Sequence, residues 1–340
     1  MSIAAIFGCA GPALTAEEAA FFRDVQPWGF ILFGRNIQDP AQVRALTSAL
    51  RETVGRDDAP ILVDQEGGRV ARLKPPRWPR YPPARAIADL AATDPSLACE
   101  MAWLGARLVA HDLGEIGINV DCAPVLDVPA AGAHDIIGDR AYGAQPELVG
   151  LLGRMAAEGL MAGAVAPVVK HIPGHGRALA DSHLELPVVD ADLADLEAVD
   201  FAPFRALADA PMAMTAHVVY RALDPDRPAT ISPTVIGDTI RGRIGFSGLL
   251  MTDDLSMRAL GGSFAGRTRA ALEAGCDVVL HCNGDPPEMA EVASAARPLA
   301  GLSAMRAGAA LERVAAGAES LDLDEARRRF GAAFDVSFAA

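Results

Sequence analysis

The sequence predicts an α/β protein, a single-domain (β/α)8 TIM barrel, on three observations. Short apolar, β-branched runs recur eight times along its 340 residues. A stretch rich in Ala and Leu with helical period follows each run. Ionisable side chains then gather at, or just past, the C-terminal ends of six of the runs. Apolar runs without in–out alternation are what parallel strands covered on both faces require. Eight strand–helix repeats is the count of the barrel. The alternative, an open doubly wound sheet, is favoured by a glycine-rich phosphate fingerprint after the first strand. The residues there, GCAGPALT (8–15), do not match it.

Taken in order, the strand candidates are IAAIF (3–7), GFILF (29–33), ILVD (61–64), INVDCAPV (118–125), APVVKH (166–171), MAMTAHV (212–218), GLLMTDD (248–254) and DVVLHC (277–282). Helices are expected near 15–25, 40–54, 95–115, 146–162, 192–209, 233–243, 264–275 and 287–316. Asp39-Pro40 and Asp94-Pro95 each set a capping carboxylate ahead of a proline suited to the first helical turn. The stretch RLKPPRWPRYPPARA (72–86) follows the third strand and reads as a long βα loop. No break in composition marks a domain boundary. Residues 1–316 are expected to form the barrel, and the tail 317–340 carries no motif and is assigned no role.

Composition narrows the function classes. The formal net charge is −14, with acidic residues spread along the chain, which disfavours nucleic acid and anionic membrane surfaces as partners. Lys74 and Lys170 are the only lysines in an otherwise Arg-based cation set. The five cysteines, Cys9, Cys99, Cys122, Cys276 and Cys282, are odd in number, scattered and without a C-x-x-C, so neither a disulfide framework nor a zinc knuckle is indicated. The opening MSIAAIFGCAGP lacks the basic start and apolar length of a signal peptide. No apolar run reaches the length of a membrane span. A cytoplasmic protein is expected, with the monomer favoured.

Four stretches carry chemistry. In KHIPGHGRALADSHLELP (170–187), Lys170 and His171 end a buried strand and face the barrel mouth. Pro173, Gly174 and Gly176 then permit a long mobile loop. On that loop Asp181 and His183 lie two residues apart, so in an extended segment the carboxylate can accept from the imidazole and tune it near neutrality. A loop histidine held by a local hydrogen bond is the plainer reading, and His171 and His175 read equally as orientation or packing residues. In MTDDLSM (251–257), Asp253 follows the strand directly and becomes a candidate nucleophile, while Asp254 is better placed as a cap or support. In VDQEGGRVARL (63–73), Asp64 with Arg69 and Arg72 suits a grip on vicinal hydroxyls or an anionic group, or else an ion pair within the loop. IIGDRAYG (136–143) brings Arg140 from the loop after the fourth strand, with a surface salt bridge as the alternative role.

VDQEGGRVARL, KHIPGHG followed by D-S-H, and MTDDLSM together resemble family 3 glycoside hydrolases, and more narrowly the bacterial single-domain β-N-acetylglucosaminidases (β-hexosaminidases) of peptidoglycan recycling. The resemblance runs from about residue 5 to 290 with the motifs in order. It implies that Asp253 is the nucleophile and His183, paired with Asp181, the acid/base. It further implies that Asp64, Arg72, Arg140, Lys170 and His171 bind the sugar. Ile172 stands where the family usually has Phe.

The substrate so implied is a small muropeptide, N-acetylglucosamine linked β-1,4 to 1,6-anhydro-N-acetylmuramic acid with or without peptide, or a chromogenic N-acetylglucosamine glycoside. A covalent glycosyl-aspartate intermediate is expected, with His183 protonating the leaving oxygen and then activating water. A histidine suits this role because its ordinary pKa lies near the operating pH. The loop is expected to hold the dyad away from Asp253 until substrate closes it. No metal or organic cofactor is required. The rival readings are a metal-dependent barrel hydrolase drawing on His171, His175, His183, His217 and Asp181, a sugar-binding barrel without turnover, and a phosphorylase variant in which phosphate replaces water.

Overall fold

The computed structural model describes residues 1–182 and 184–338. Eight parallel strands close into a barrel: β1 (Ile3–Gly8), β2 (Pro27–Leu32), β3 (Ile61–Val63), β4 (Val120–Asp121), β5 (Ala166–Ile172), β6 (Met212–Thr215), β7 (Leu249–Asp254) and β8 (Val278–His281). Pairing runs in chain order and returns through Phe7, which is registered with Phe30 of β2 on one side and His281 of β8 on the other. Every residue of β2, β5, β6 and β8 is buried, as uninterrupted apolar strands under a helical layer must be. The eight strand candidates are therefore all present, and the fold is the predicted barrel.

The helix starts follow the capping chemistry. Thr15 and Glu18 form a reciprocal capping box on Ala16–Val25. Asp39 and Asp94 each accept a backbone N–H three residues on, with proline in the first turn of Pro40–Val54 and Pro95–Gly114. Among the described residues, no helix is long and apolar enough to cross a membrane.

Three elements depart from the sequence expectation. The fourth strand, expected over 118–125, is regular only at Val120–Asp121. Pro124 has no N–H to give, and beyond it the chain bonds irregularly to β5, with Leu126 N donating to the Lys170 carbonyl at 2.7 Å. The helix expected over 287–316 is two helices, Pro286–Ala295 and Gly301–Glu312. Pro298 breaks it, and the freed segment closes the foot of the barrel: the Arg297 carbonyl accepts from Ala4 N and Leu299 N donates to the Ser2 carbonyl. The helix expected over 192–209 is split into Leu193–Asp195, Leu196–Asp200 and Ala202–Ala206.

The tail also has structure. Leu323–Phe334 is a helix, capped by Asp322, that lies on Pro95–Gly114. Its Phe330 is 1 % exposed, and a Cβ added at Gly105 would come within 2.7 Å of that ring, so the close approach requires glycine there. Tyr81 of the Pro-rich loop meets Phe330 and Phe338, with ring centroids 6.0 and 6.2 Å away. The final helix thus covers core surface. Phe330→Ala is expected to lower stability by about 3–5 kcal/mol in equilibrium urea unfolding. A loss below about 1 kcal/mol would mean that the helix is an accessory to the barrel.

Candidate active site

The C-terminal strand ends open on a cavity of about 370 Å³. Asp64, Arg72, Arg140, Lys170, His171 and Asp253 all line it, with Glu66, His175, Ser182 and Asp254. Six of the eight residues singled out from the sequence therefore share one cavity. Asp181 is not among its lining residues, and His183 lies outside the described residues. A larger cavity of about 790 Å³ lies on the outer side of the Pro-rich loop, between Trp78, Tyr81 and Phe338, and holds none of the strand-end groups.

The floor of the smaller cavity is a buried ion cluster. Lys170 ends β5 at 2 % exposure. Its Nζ donates to Asp64 Oδ1 at 2.8 Å and lies 2.7 Å from Glu66 Oε1. Arg72 Nη2 donates to the other Asp64 oxygen at 2.8 Å. Arg140 grips Glu66 with two parallel bonds of 2.8 Å. Burial pushes both carboxyls up, but Lys170 with Arg72 on Asp64, and Lys170 with Arg140 on Glu66, outweigh it and hold both below the usual range. Burial alone lowers Lys170, yet the same two carboxylates keep it firmly protonated. Three cations against two carboxylates leave an array of fixed acceptors and donors suited to neighbouring hydroxyls. Arg140 is not on the surface: the Arg140–Glu66 side chains are 10 and 6 % exposed.

Asp127 organises the histidines. It is fully buried; its Oδ1 accepts from the backbone N–H of His175 at 2.6 Å and of His171 at 3.2 Å. Its Oδ2 lies 2.7 Å from His171 Nδ1, which fixes the proton on that nitrogen. Burial raises the Asp127 carboxyl, but His171 and His175 bring it down to about 2. A Cβ at Gly176 would sit 1.9 Å from the Val128 carbonyl oxygen, and Gly174 has φ +134°. These two glycines are therefore demanded by close packing as well as by the turn.

Across the cavity, the two adjacent aspartates divide their tasks. Asp254 builds the turn, accepting from Ser256 N at 3.0 Å, Ser256 Oγ at 2.5 Å and Cys282 N at 3.2 Å. His217, buried, spans from Thr230 Oγ1 (2.7 Å) to the Asp254 carbonyl (3.0 Å) and braces the strand end. Burial pushes its imidazole down, so it is neutral there and donates from Nε2. Both ring nitrogens of His217 are thus engaged. Among the described residues, no group of three His, Cys, Asp or Glu could hold a metal ion. Asp253 faces the cavity with one oxygen accepting from Asp254 N at 2.8 Å. On the loop, the Asp181 carbonyl accepts from Leu184 N and Glu185 N.

The sequence motifs assign no role to Glu66 or Asp127. The D-x-E spacing of Asp64 and Glu66, which puts both on one side of an extended segment, was the signal available for Glu66. Nothing local could pair Asp127 with His171, 44 residues away.

A model of the glycosyl hydrolase family 3 N-terminal domain matches residues 7–316. A β-hexosaminidase of Alkalilimnicola ehrlichii is 42 % identical over 286 residues, 82 % of this chain and 80 % of that one. The crystal structure of native NagZ from Neisseria gonorrhoeae superposes with a TM-score of 0.87 at 33 % identity, covering 98 % of both chains. The same protein in complex with N-trifluoroacetyl-D-glucosamine gives the same score, identity and coverage.

Removing Lys170 tests the ion cluster. Lys170→Met is expected to cost about 3–5 kcal/mol near pH 7, because two buried carboxylates lose a shared partner. In the intact protein Asp64 and Glu66 titrate below their ordinary values, so their contribution is complete above roughly pH 5 and declines as pH falls through the carboxylate range. In the variant both carboxyls rise, the folded state takes up protons earlier, and the deficit narrows between roughly pH 7 and pH 4. Urea midpoints measured across that range check the sign. A deficit that does not vary with pH would place its origin in packing.

Proposed function

The chain belongs to glycosyl hydrolase family 3 and is a glycoside hydrolase, and from that premise we propose that it is a retaining exo-β-N-acetylglucosaminidase. Its substrates are cytoplasmic muropeptides, N-acetylglucosamine β-1,4-linked to 1,6-anhydro-N-acetylmuramic acid with or without peptide, met in peptidoglycan recycling. The observation that carries this reading is one cavity holding a hydroxyl-binding ion cluster and, on a separate strand end, the carboxylate of Asp253. The β-hexosaminidase relatives and the aminosugar analogue bound by the Neisseria protein support the choice of sugar.

The reaction follows from these residues. Asp64, Arg72, Lys170 and Arg140 hold the hydroxyls of the terminal sugar, and His171, oriented by Asp127, adds a fixed donor or acceptor. The Asp253 carboxylate attacks the anomeric carbon as the bond to the leaving oxygen breaks, and His183 gives that oxygen its proton. Water then attacks the glycosyl-aspartate while His183 takes a proton from it, releasing the sugar with its configuration retained. Asp181 keeps the imidazole in the required tautomer and raises its basicity. Asp254 and His217 keep the attacking carboxylate in place without touching substrate.

Asp253→Ala is expected to fold normally and to lose turnover by several orders of magnitude. A fluorinated glycosyl trap followed by peptide mass spectrometry should find the label on Asp253. A label on another carboxylate, or an inverted product anomer by NMR, overturns the assignment. His183→Ala is expected to lose most activity on substrates with a poor leaving group and much less on nitrophenyl glycosides, where protonation matters little. Equal loss on both would remove it as the acid. Product analysis with and without phosphate distinguishes water from phosphate as acceptor.

A further inference from the structure

Ser182 stands between the two residues of the loop dyad, and it is tied down on two sides. At 3 % exposure, its Oγ lies 3.2 Å from His175 Nε2, and its carbonyl accepts from Ala259 N at 3.3 Å. Ala259 belongs to the segment that continues from Asp253, while His175 is anchored by its own backbone N–H to Asp127 at 2.6 Å. Ser182 therefore connects the side of the barrel that orients His171 to the side that carries Asp253. His175 is 3 % exposed, and its buried Nδ1 has no hydrogen-bond partner among the described residues. A buried N–H without an acceptor is rarer than an unused lone pair. The ring proton accordingly resides on Nε2 and is donated to Ser182 Oγ. Burial and the neighbouring His171 push His175 down to about 4, so the ring stays neutral at the pH of the reaction.

We propose that Ser182 is a positioning residue for the acid/base step, a latch that ties the loop at Asp181–Ser182 to Asp127, through His175, and to the strand end bearing Asp253. The inference rests on the function proposed above, with proton donation by the loop. A hydrogen bond of this kind has no direct part in binding the terminal sugar. Its loss therefore falls on protonation of the leaving group, which depends on near-attack geometry.

The test measures kcat and KM for Ser182→Ala, His175→Ala and the double variant on aryl N-acetylglucosaminides of graded leaving-group acidity, with thermal melts to confirm folding. Ser182→Ala is expected to lower kcat about 3- to 10-fold on the least acidic phenol and much less on the dinitrophenyl glycoside, with KM nearly unchanged. Ser182→Thr, which keeps the hydroxyl, should restore the leaving-group dependence. The double variant should be no worse than the more impaired single one, because both remove the same contact. Equal loss on all leaving groups, or none, overturns the latch. If His183→Ala does discriminate among the same substrates, the latch alone has failed. If His183→Ala does not, the acid assignment has failed and takes the latch with it.

Discussion

Lys170 carries a charge at the end of a strand that is buried on both faces, and the site is built around making that tolerable. An ammonium so far from water is stable only because Asp64 and Glu66 meet it. Those carboxylates lie on the segment leaving β3, two strands away, and in turn need Arg72 and Arg140. None of these partners is close to Lys170 in sequence. The cluster exists only when the barrel closes, so the geometry of the cavity floor and the geometry that completes the fold form together. Any substitution that breaks the set leaves a buried charge without its counterpart, so every position in it bears on stability.

A second level of support keeps the cavity's side chains in place. Asp127 fixes His171 from behind, and His217 fixes the backbone of Asp254, so that Asp253 projects from a strand end held by hydrogen bonds on its far side. These supports lie deep in the barrel and are rigid. The loop that carries Asp181, by contrast, has its first half packed at Gly174 and Gly176 and its far end held by the short pairing of Val188–Val189 with Val219–Tyr220. Under the proposed mechanism the nucleophile is fixed and the acid is carried, which joins an accurate reaction coordinate to a way in for substrate.

Much of this was legible in the sequence because it is local. Apolar runs, Asp-Pro caps and strand-end ionisable residues each show themselves within a few residues, and they led to eight strands and to six of the cavity's side chains. What was not legible depends on distance or on a single interrupting residue. Pro298 split a helix that periodicity alone continued. Phe330 gave no sign that it would rest on Gly105. The Glu66–Arg140 grip joins residues 74 apart, and sequence could offer Arg140 only as a loop cation with a surface pair as its plain alternative. The companion of Asp181 in the dyad, His183, lies outside the described residues, so its role still rests on its motif.

The contact of Tyr81 with Phe330 has a consequence for biosynthesis. Some 250 residues separate the two rings, and a ribosome adding ~5–20 residues per second needs on the order of ten to fifty seconds to span them. Throughout that interval the nascent Pro-rich loop and the Gly105 face of its neighbouring helix wait bare for their lid. The newborn chain therefore carries uncovered apolar surface until its final helix is made.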